Sequence, residues 1–356
     1  QSKYRKKKSN KYFFYLGCAF GFGFFFFGNY WISISLTHEQ TFKGLIPLSL
    51  IVIPLFLAIF FGLAILIVGQ FAEKKVYFIL FFSLIFSAFE FLRGHLLTGF
   101  PWNLISYTWS WSLESIQILS IIGTYSLSII SITFFCTPFI FFQKKISNIN
   151  YIFLLIMFSL FISNYLFGLN KIKNKSYNYD KELNVKIISP DFLIKDFTLE
   201  NEKVRLERLI KISDPEKDKK TLFIWPEGIF YQSYSQDINE YRKLFSSNFS
   251  KNHLIILGIN NFVFENDGKE KKYYNSFVTL NNELEVLSIY NKINLVPFGE
   301  FLPFENFFSN FGFKKITWGY NSFSKGKERK IINLGNNFKN KLILPLICYE
   351  IIYSGR

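Results

Sequence analysis

Leu50-Ile51-Val52-Ile53-Pro54-Leu55-Phe56-Leu57-Ala58-Ile59-Phe60-Phe61-Gly62-Leu63-Ala64-Ile65-Leu66-Ile67-Val68 decides the architecture of the first half of the chain. The run lies inside residues 44–70, which hold no charged side chain. A helix rises about 1.5 Å per residue, so such a run covers the roughly 30 Å of hydrocarbon in a bilayer. Outward from it, residues 12–36 and 115–142 are also long, uncharged and apolar. Residues 76–93 and 150–169 are shorter, yet each is long enough to span. Buried core helices of a large soluble protein are the competing reading, and five such runs in one chain weigh against it. Residues 1–170 are therefore expected to be an α-helical polytopic membrane domain with about five transmembrane helices.

Composition agrees. Half of the 356 residues are hydrophobic, and 47 are Phe, an excess that points to a membrane solvent. Residues 1–170 hold 12 Lys/Arg and 4 Asp/Glu, whereas residues 171–356 hold 29 and 22, the balance of a water-exposed domain. A net charge of +15 raises nucleic acid as a partner. The basic residues flank the spans or are scattered, and no nucleic-acid motif accompanies them, so none is expected. Cys18 and Cys136 lie in apolar runs where a small thiol packs. Cys348 is the one cysteine of the polar half, which excludes a disulfide framework there. Gln1 in place of Met and the abrupt end at Arg356 read as a piece truncated at both ends.

Orientation follows from flanking Lys and Arg. Lys3, Arg5, Lys6, Lys7, Lys8 and Lys11 precede the first span, Lys74 and Lys75 follow the second, and Lys144 and Lys145 follow the fourth. Placing these in the cytoplasm leaves only Lys43 and Arg93 of the twelve outside. The polar domain is then expected on the periplasmic side, away from the cytoplasm. Lys171, Lys173 and Lys175 oppose this mildly, but they open a long domain, where the rule carries little weight. Of the external loops, residues 37–43 are short and polar. Residues 94–114 carry Gly99-Phe100-Pro101-Trp102, turn chemistry joined to interfacial aromatics. Glu90 and Arg93, three apart at a helix end, are expected to pair on one face.

Apolar strand runs alternate with polar helical stretches in residues 171–356. Strands are expected at 183–189, 222–226, 253–259, 276–281, 286–291 and 341–348, and helices at 199–213 and 237–247. A β-α-β-α-β opening favours an α/β layered domain. Residues 305–340 read as an irregular cover over a site.

Three residues sit at strand ends. Cys348 follows Leu342-Ile343-Leu344-Pro345-Leu346-Ile347, Glu227 follows Ile224-Trp225-Pro226, and Lys292 follows Ile289-Tyr290-Asn291. Taken singly, they read as an inert core thiol, a solvated turn acid and a surface lysine. Together they supply a nucleophile, a base and a cation for an oxyanion, the parts acyl transfer needs.

Three blocks, in this order, resemble the signatures of the apolipoprotein N-acyltransferase family: Trp225-Pro226-Glu227, then Lys292 with Leu295-Val296-Pro297-Phe298-Gly299-Glu300-Phe301-Leu302-Pro303-Phe304, then Ile347-Cys348-Tyr349-Glu350. Phe89-Glu90-Phe91-Leu92-Arg93-Gly94 with Leu97-Thr98-Gly99-Phe100-Pro101-Trp102 is similar to its periplasmic-loop motif. Residues 21–31 and Ser322-Phe323-Ser324-Lys325-Gly326 also look like family segments. The resemblance covers nearly the whole chain. It implies a nitrilase-like (carbon-nitrogen hydrolase) αββα sandwich on a membrane base, working as a monomer.

The implied reaction has two steps. The thiolate of Cys348 takes an acyl group from the sn-1 ester of a phospholipid, with Glu227 as base and Lys292 on the oxyanion. The amine of an S-diacylglyceryl cysteine on a diacylated apolipoprotein then takes it from the thioester. Glu300 and Glu350 match acids of the family that orient Lys292 and the cysteine segment, and Tyr349 matches a functional aromatic. No cofactor and no metal enters this scheme. Gly228 departs from the Ser or Thr often found there, and Phe197 is the nearest aromatic to a position where the family often has Trp. A membrane-tethered nitrilase-type amidase or hydrolase is the alternative. Plain nitrilases share Glu, Lys and Cys but lack the membrane half and the Leu295–Phe304 block.

Overall fold

Backbone polar groups find no water in hydrocarbon, so an apolar run long enough to span folds as a helix. The computed structural model describes residues 9–353 except 39, 72–75, 144–145, 177–178, 182, 193–201, 231–232, 266–269 and 304–321. The lysine clusters at 3–8, 74–75 and 144–145, Phe197 and residues 305–321 of the expected cover at 305–340 lie outside the described residues. Contacts divide the chain into two units, Gln1–Tyr177 with Ile352–Arg356, and Asn178–Ile351.

The first unit contains α1 (Asn10–Asn29), α2 (Ile46–Gln70), α3 (Val76–His95), the short α4 (Leu113–Ile116), α5 (Leu119–Phe135) and α6 (Asn148–Lys173). Ser9 caps α1 by accepting from the Tyr12 amide, and Ser112 caps α4 in the same way from Ser115. Five segments are long and apolar enough to cross a membrane: Asn10–Thr37, Phe42–Gln70, Val76–His95, Leu119–Phe142 and Asn148–Lys173. These are the five spans expected from the sequence. Much of the connection at 37–43 is wound into 3-10 turns, Tyr30–His38 and Gln40–Leu45.

Small residues let α1 and α2 touch. A Cβ on Gly17 would stand 2.5 Å from the Phe61 carbonyl oxygen, and one on Gly21 would stand 3.0 Å from the Ala58 Cα. Where lipid replaces water, such close approach is a main source of helix association. Beside it Phe25, Phe61 and Phe86 form a buried aromatic core with Leu57, Ala64 and Ile132. Leu155, Phe158 and Leu166 of α6 stay exposed, as side chains facing lipid would.

Glu90 and Arg93 are fully buried on α3, but they do not form the expected ion pair. Each turns instead to the backbone of the loop that follows. Arg93 Nη1 donates to the carbonyls of Phe100 (2.7 Å) and Trp102 (2.6 Å), and Glu90 Oε1 accepts from the Ile105 amide at 2.9 Å. Buried backbone polar groups need partners, and these two side chains supply them to the loop.

The second unit is built on a mixed sheet in the order β1-β2-β3-β4-β5: Asn184–Ile187, Thr221–Phe230, His253–Glu265, Glu270–Leu280 and Val286–Asn291. β1, β2 and β3 are parallel, and β3, β4 and β5 antiparallel. Side chains alternate across the pleat. Phe223, Trp225, Ile255 and Leu257 face one side, where Leu206, Leu209 and Ile210 of α7 (Glu202–Ser213) and Phe245 of α8 (Arg242–Asn248) cover them. Leu222, Leu254, Ile256 and Tyr290 pack with Ile332, Leu334, Phe338 and Ile347. The α7 contacts recur at helical spacing, which is why an otherwise polar segment folds there.

The strand expected at 341–348 is a correction. Only β7 (Leu342–Ile343) pairs, with β6 (Ile332–Asn333), in a separate two-stranded sheet. Pro345 has no N–H for a ladder, and Cys348 at φ 48° leaves extended backbone altogether.

Candidate functional site

Glu227 sits in a bulge rather than at the end of a strand. Pro226 cannot donate to the ladder, and the register between β2 and β3 shifts on both sides of Glu227. Gly228 holds φ 74°, a left-handed conformation open to glycine, which explains why glycine stands where Ser or Thr was expected. Across the sheet, Gly258 makes room: a Cβ there would stand 2.9 Å from Glu227 Cγ. Glu227 itself is exposed.

Lys292 is no surface lysine; only 1% of it is exposed. Its amide donates to the Asn275 carbonyl at 2.9 Å, extending the β4–β5 pairing, and its Nζ lies 2.9 Å from each carboxylate oxygen of Glu300. The Leu295–Phe304 block shows why the acid arrives there. Phe298 takes φ 62°, the Glu300 amide returns to the Val296 carbonyl at 2.8 Å, and the Val296 amide donates to Glu300 Oε2 at 2.8 Å. This tight turn folds Glu300 back onto Lys292. The segment 322–326 braces both. The Phe323 amide binds the Glu300 carbonyl, and the Gly326 amide binds the Lys292 carbonyl, each at 2.8 Å.

Asn275 joins this group to the base. Its Nδ2 donates to Glu227 Oε1 at 2.6 Å and to Glu300 Oε1 at 2.7 Å.

Cys348 opens the 3-10 turn Cys348–Ile352 and keeps contact with solvent. Burial of the sulfur pushes its thiol above the ordinary value. The negative charge of Glu227 adds to this, the Lys292 ammonium and the Tyr349 amide oppose it, and Glu300 adds a smaller push upward. Of the expected residues, Glu227 and Lys292 bear on the Cys348 thiol with opposite sign. At neutral pH the resting group is a thiol, which needs a base to become a nucleophile.

Glu350 is fully buried and holds the frame. Its Oε1 accepts from Tyr290 Oη (2.8 Å), the amides of Ile293 (2.9 Å) and Asn294 (3.1 Å), and Arg329 Nη2 (3.3 Å). Its Oε2 accepts from the Ile347 amide at 3.0 Å. One carboxylate thus ties the backbone after Lys292 to the backbone before Cys348. Burial and this hydrogen bond push the Tyr290 hydroxyl up to about 12. Tyr349, half-buried, contributes its amide to the sulfur.

Sequence reasoning missed Asn275, Gly258 and Arg329. An isolated glycine inside an apolar strand marks a close approach, so Gly258 carried a signal. Asn275 and Arg329 carried none. Among the described residues, no group of His, Cys, Asp and Glu is arranged to hold a metal ion.

Residues 3–137 match the apolipoprotein N-acyltransferase N-terminal domain. Curated relatives named apolipoprotein N-acyltransferase align with nearly all of the chain. The one from Rickettsia prowazekii is 31% identical over 344 residues, 95% of this chain and 66% of its own length. The one from Rhodopseudomonas palustris is 28% identical over 349 residues, 95% and 64%. The one from Caulobacter vibrioides is 28% identical over 362 residues, 96% and 65%. The chain spans slightly less than two thirds of the length of these relatives.

Proposed function

We propose, for a chain that belongs to the apolipoprotein N-acyltransferase family, that it moves a fatty acyl group from the sn-1 position of a phospholipid to the N-terminal amine of an S-diacylglyceryl cysteine. The observation that carries this reading is the hydrogen-bonded chain Glu227–Asn275–Glu300–Lys292, whose carboxylate and ammonium ends bear on the Cys348 thiol with opposite sign.

The chemistry then runs in two halves. Glu227 takes the thiol proton as sulfur attacks the ester carbonyl. Lys292, fixed by Glu300, stabilises the tetrahedral oxyanion together with backbone N–H groups. Collapse breaks the ester C–O bond. The lysophospholipid alkoxide leaves with the proton from Glu227, and a thioester remains on Cys348. The lipoprotein amine attacks this thioester, Glu227 takes the amine's proton, and sulfur departs to be reprotonated. Ping-pong kinetics follow from the shared intermediate.

The mixed sheet of the second unit is one half of the αββα nitrilase-like sandwich in this reading. The lysine flanks place that domain in the periplasm of a bacterial cell, on a multi-pass inner-membrane base, and the protein acts as a monomer. Both substrates are lipid-anchored, which gives a membrane base its purpose.

Mass spectrometry of the protein from membranes supplied with labelled phospholipid tests this. A fatty acyl adduct on Cys348 is expected, and it should not accumulate in Glu227→Gln. Release of free fatty acid with no transfer to a diacylglyceryl-cysteine peptide would favour the hydrolase instead.

A further inference from the structure

The mechanism above asks Glu227 to meet the sulfur with an ionised carboxylate, yet nothing in it explains what aims an exposed side chain in a bulge. Glu227 has one hydrogen bond to a described side chain, and it comes from Asn275. Asn275 is buried, 7% exposed, on β4. Its backbone is fixed on both sides, by pairing with Asn260 of β3 and by accepting the Lys292 amide. Its amide nitrogen carries two N–H groups. One goes to Glu227 Oε1 and the other to Glu300 Oε1, the acid that clasps Lys292.

We infer that Asn275 is a positioning residue, a neutral amide bridge that ties the base to the clamp of the oxyanion-binding lysine and leaves Glu227 Oε2 to meet the thiol. This rests on the reading of Glu227 as the base.

Charge explains why an amide stands here. Glu227 is linked through Asn275 to Glu300 and so to Lys292, and all three charged groups bear on the Cys348 thiol. An amide donates to both carboxylates and adds no charge of its own. A hydroxyl has one proton and serves one acid at a time. An acid at this position would have to share a proton with its neighbours, as paired carboxylates do. The bridge also fixes distance, and a misplacement of about 1 Å in a reacting group can cost about 10²-fold in rate.

The test is the pH profile of Cys348 acylation, followed by intact-mass spectrometry on the full chain in detergent micelles with labelled phospholipid. Asn275→Ala removes a donor that favours the ionised base. The acid limb of the profile is expected to move to higher pH and kcat to fall about 10²-fold, with KM near wild type. Asn275→Asp keeps the shape and adds a third carboxylate, so its limb is expected to move further in the same direction. Either variant that folds reports on the inference, because a residue that merely supports β4 would lower yield or melting temperature without moving the limb. A limb at the wild-type pH in the folded variants overturns the bridge, whatever the rate. Glu227→Gln is run beside them. If it retains wild-type acylation, the reading of the base fails; if it is inactive while the limb of the Asn275 variants does not move, the bridge alone fails.

Discussion

The two units each bury charge, and they use it in opposite ways. In the second unit Lys292 and Glu300 converge, ammonium to carboxylate at 2.9 Å, and that pair in turn acts on the sulfur of Cys348. In the first unit Glu90 and Arg93, one helical turn apart, diverge, each spending its hydrogen bonds on the backbone of the loop between Phe100 and Ile105. Convergent charge concentrates a field on a reacting atom. Divergent charge satisfies backbone groups of the loop that follows the helix. Both places bury an acid and a base, so the direction of the hydrogen bonds is what separates the proposed chemical site from a scaffold.

Breaking the scaffold gives the largest expected effect. Arg93→Leu strips the two charge-assisted bonds to Phe100 and Trp102, a loss of about 3–5 kcal/mol at roughly 1.5–3 kcal/mol each. Thermal unfolding in detergent should show it, with Arg93→Lys recovering part. Breaking the chemical site comes next. Lys292→Met should lower acyl transfer by about 10²- to 10³-fold, the scale of a lost oxyanion partner, read on folded protein because Glu300 also loses its buried ammonium, while Val296, Asn275 and segment 322–326 still hold its place. A fall in rate matched only by unfolding would erase the contrast between the two units.

Smaller effects sharpen it. Gly21→Leu forces side-chain bulk between α1 and α2 and should cost about 1–3 kcal/mol of helix packing, read in the same melt. Tyr290→Phe removes one of the five donors to Glu350 and should cost only about 1 kcal/mol, with acyl transfer within a few-fold of wild type.

Legibility in the sequence follows the same division. The membrane unit was readable because an unbroken apolar run such as 50–68 has few other solutions. The strand pattern of the second unit was readable from the short apolar runs at 222–226 and 253–259, although β3 and β4 pair over a longer stretch, from Ile255 with Leu280 to Glu265 with Glu270. Pro345 marked where the strand at 341–348 had to fail, and the apolar run around it concealed the mark. Glu227, Lys292 and Cys348 became legible through the order of their blocks, since each alone reads as ordinary. The Glu90–Arg93 pair was misread because helical spacing says which side chains are neighbours and nothing about a loop that competes for them. Asn275 was invisible for a related reason. Its role comes from which strands lie beside β4, and no local pattern around one asparagine encodes that.

The central claim, that Glu227 and Lys292 act on the sulfur of Cys348 with opposite sign, is tested most directly by alkylation. The rate of iodoacetamide modification of the Cys348 peptide is measured against pH by mass spectrometry in wild type, Glu227→Gln and Lys292→Met. Removing the negative charge should lower the thiol's titration and speed modification at neutral pH; removing the positive charge should raise it and slow modification. Profiles that superimpose on wild type, or that shift in the same direction, would contradict it.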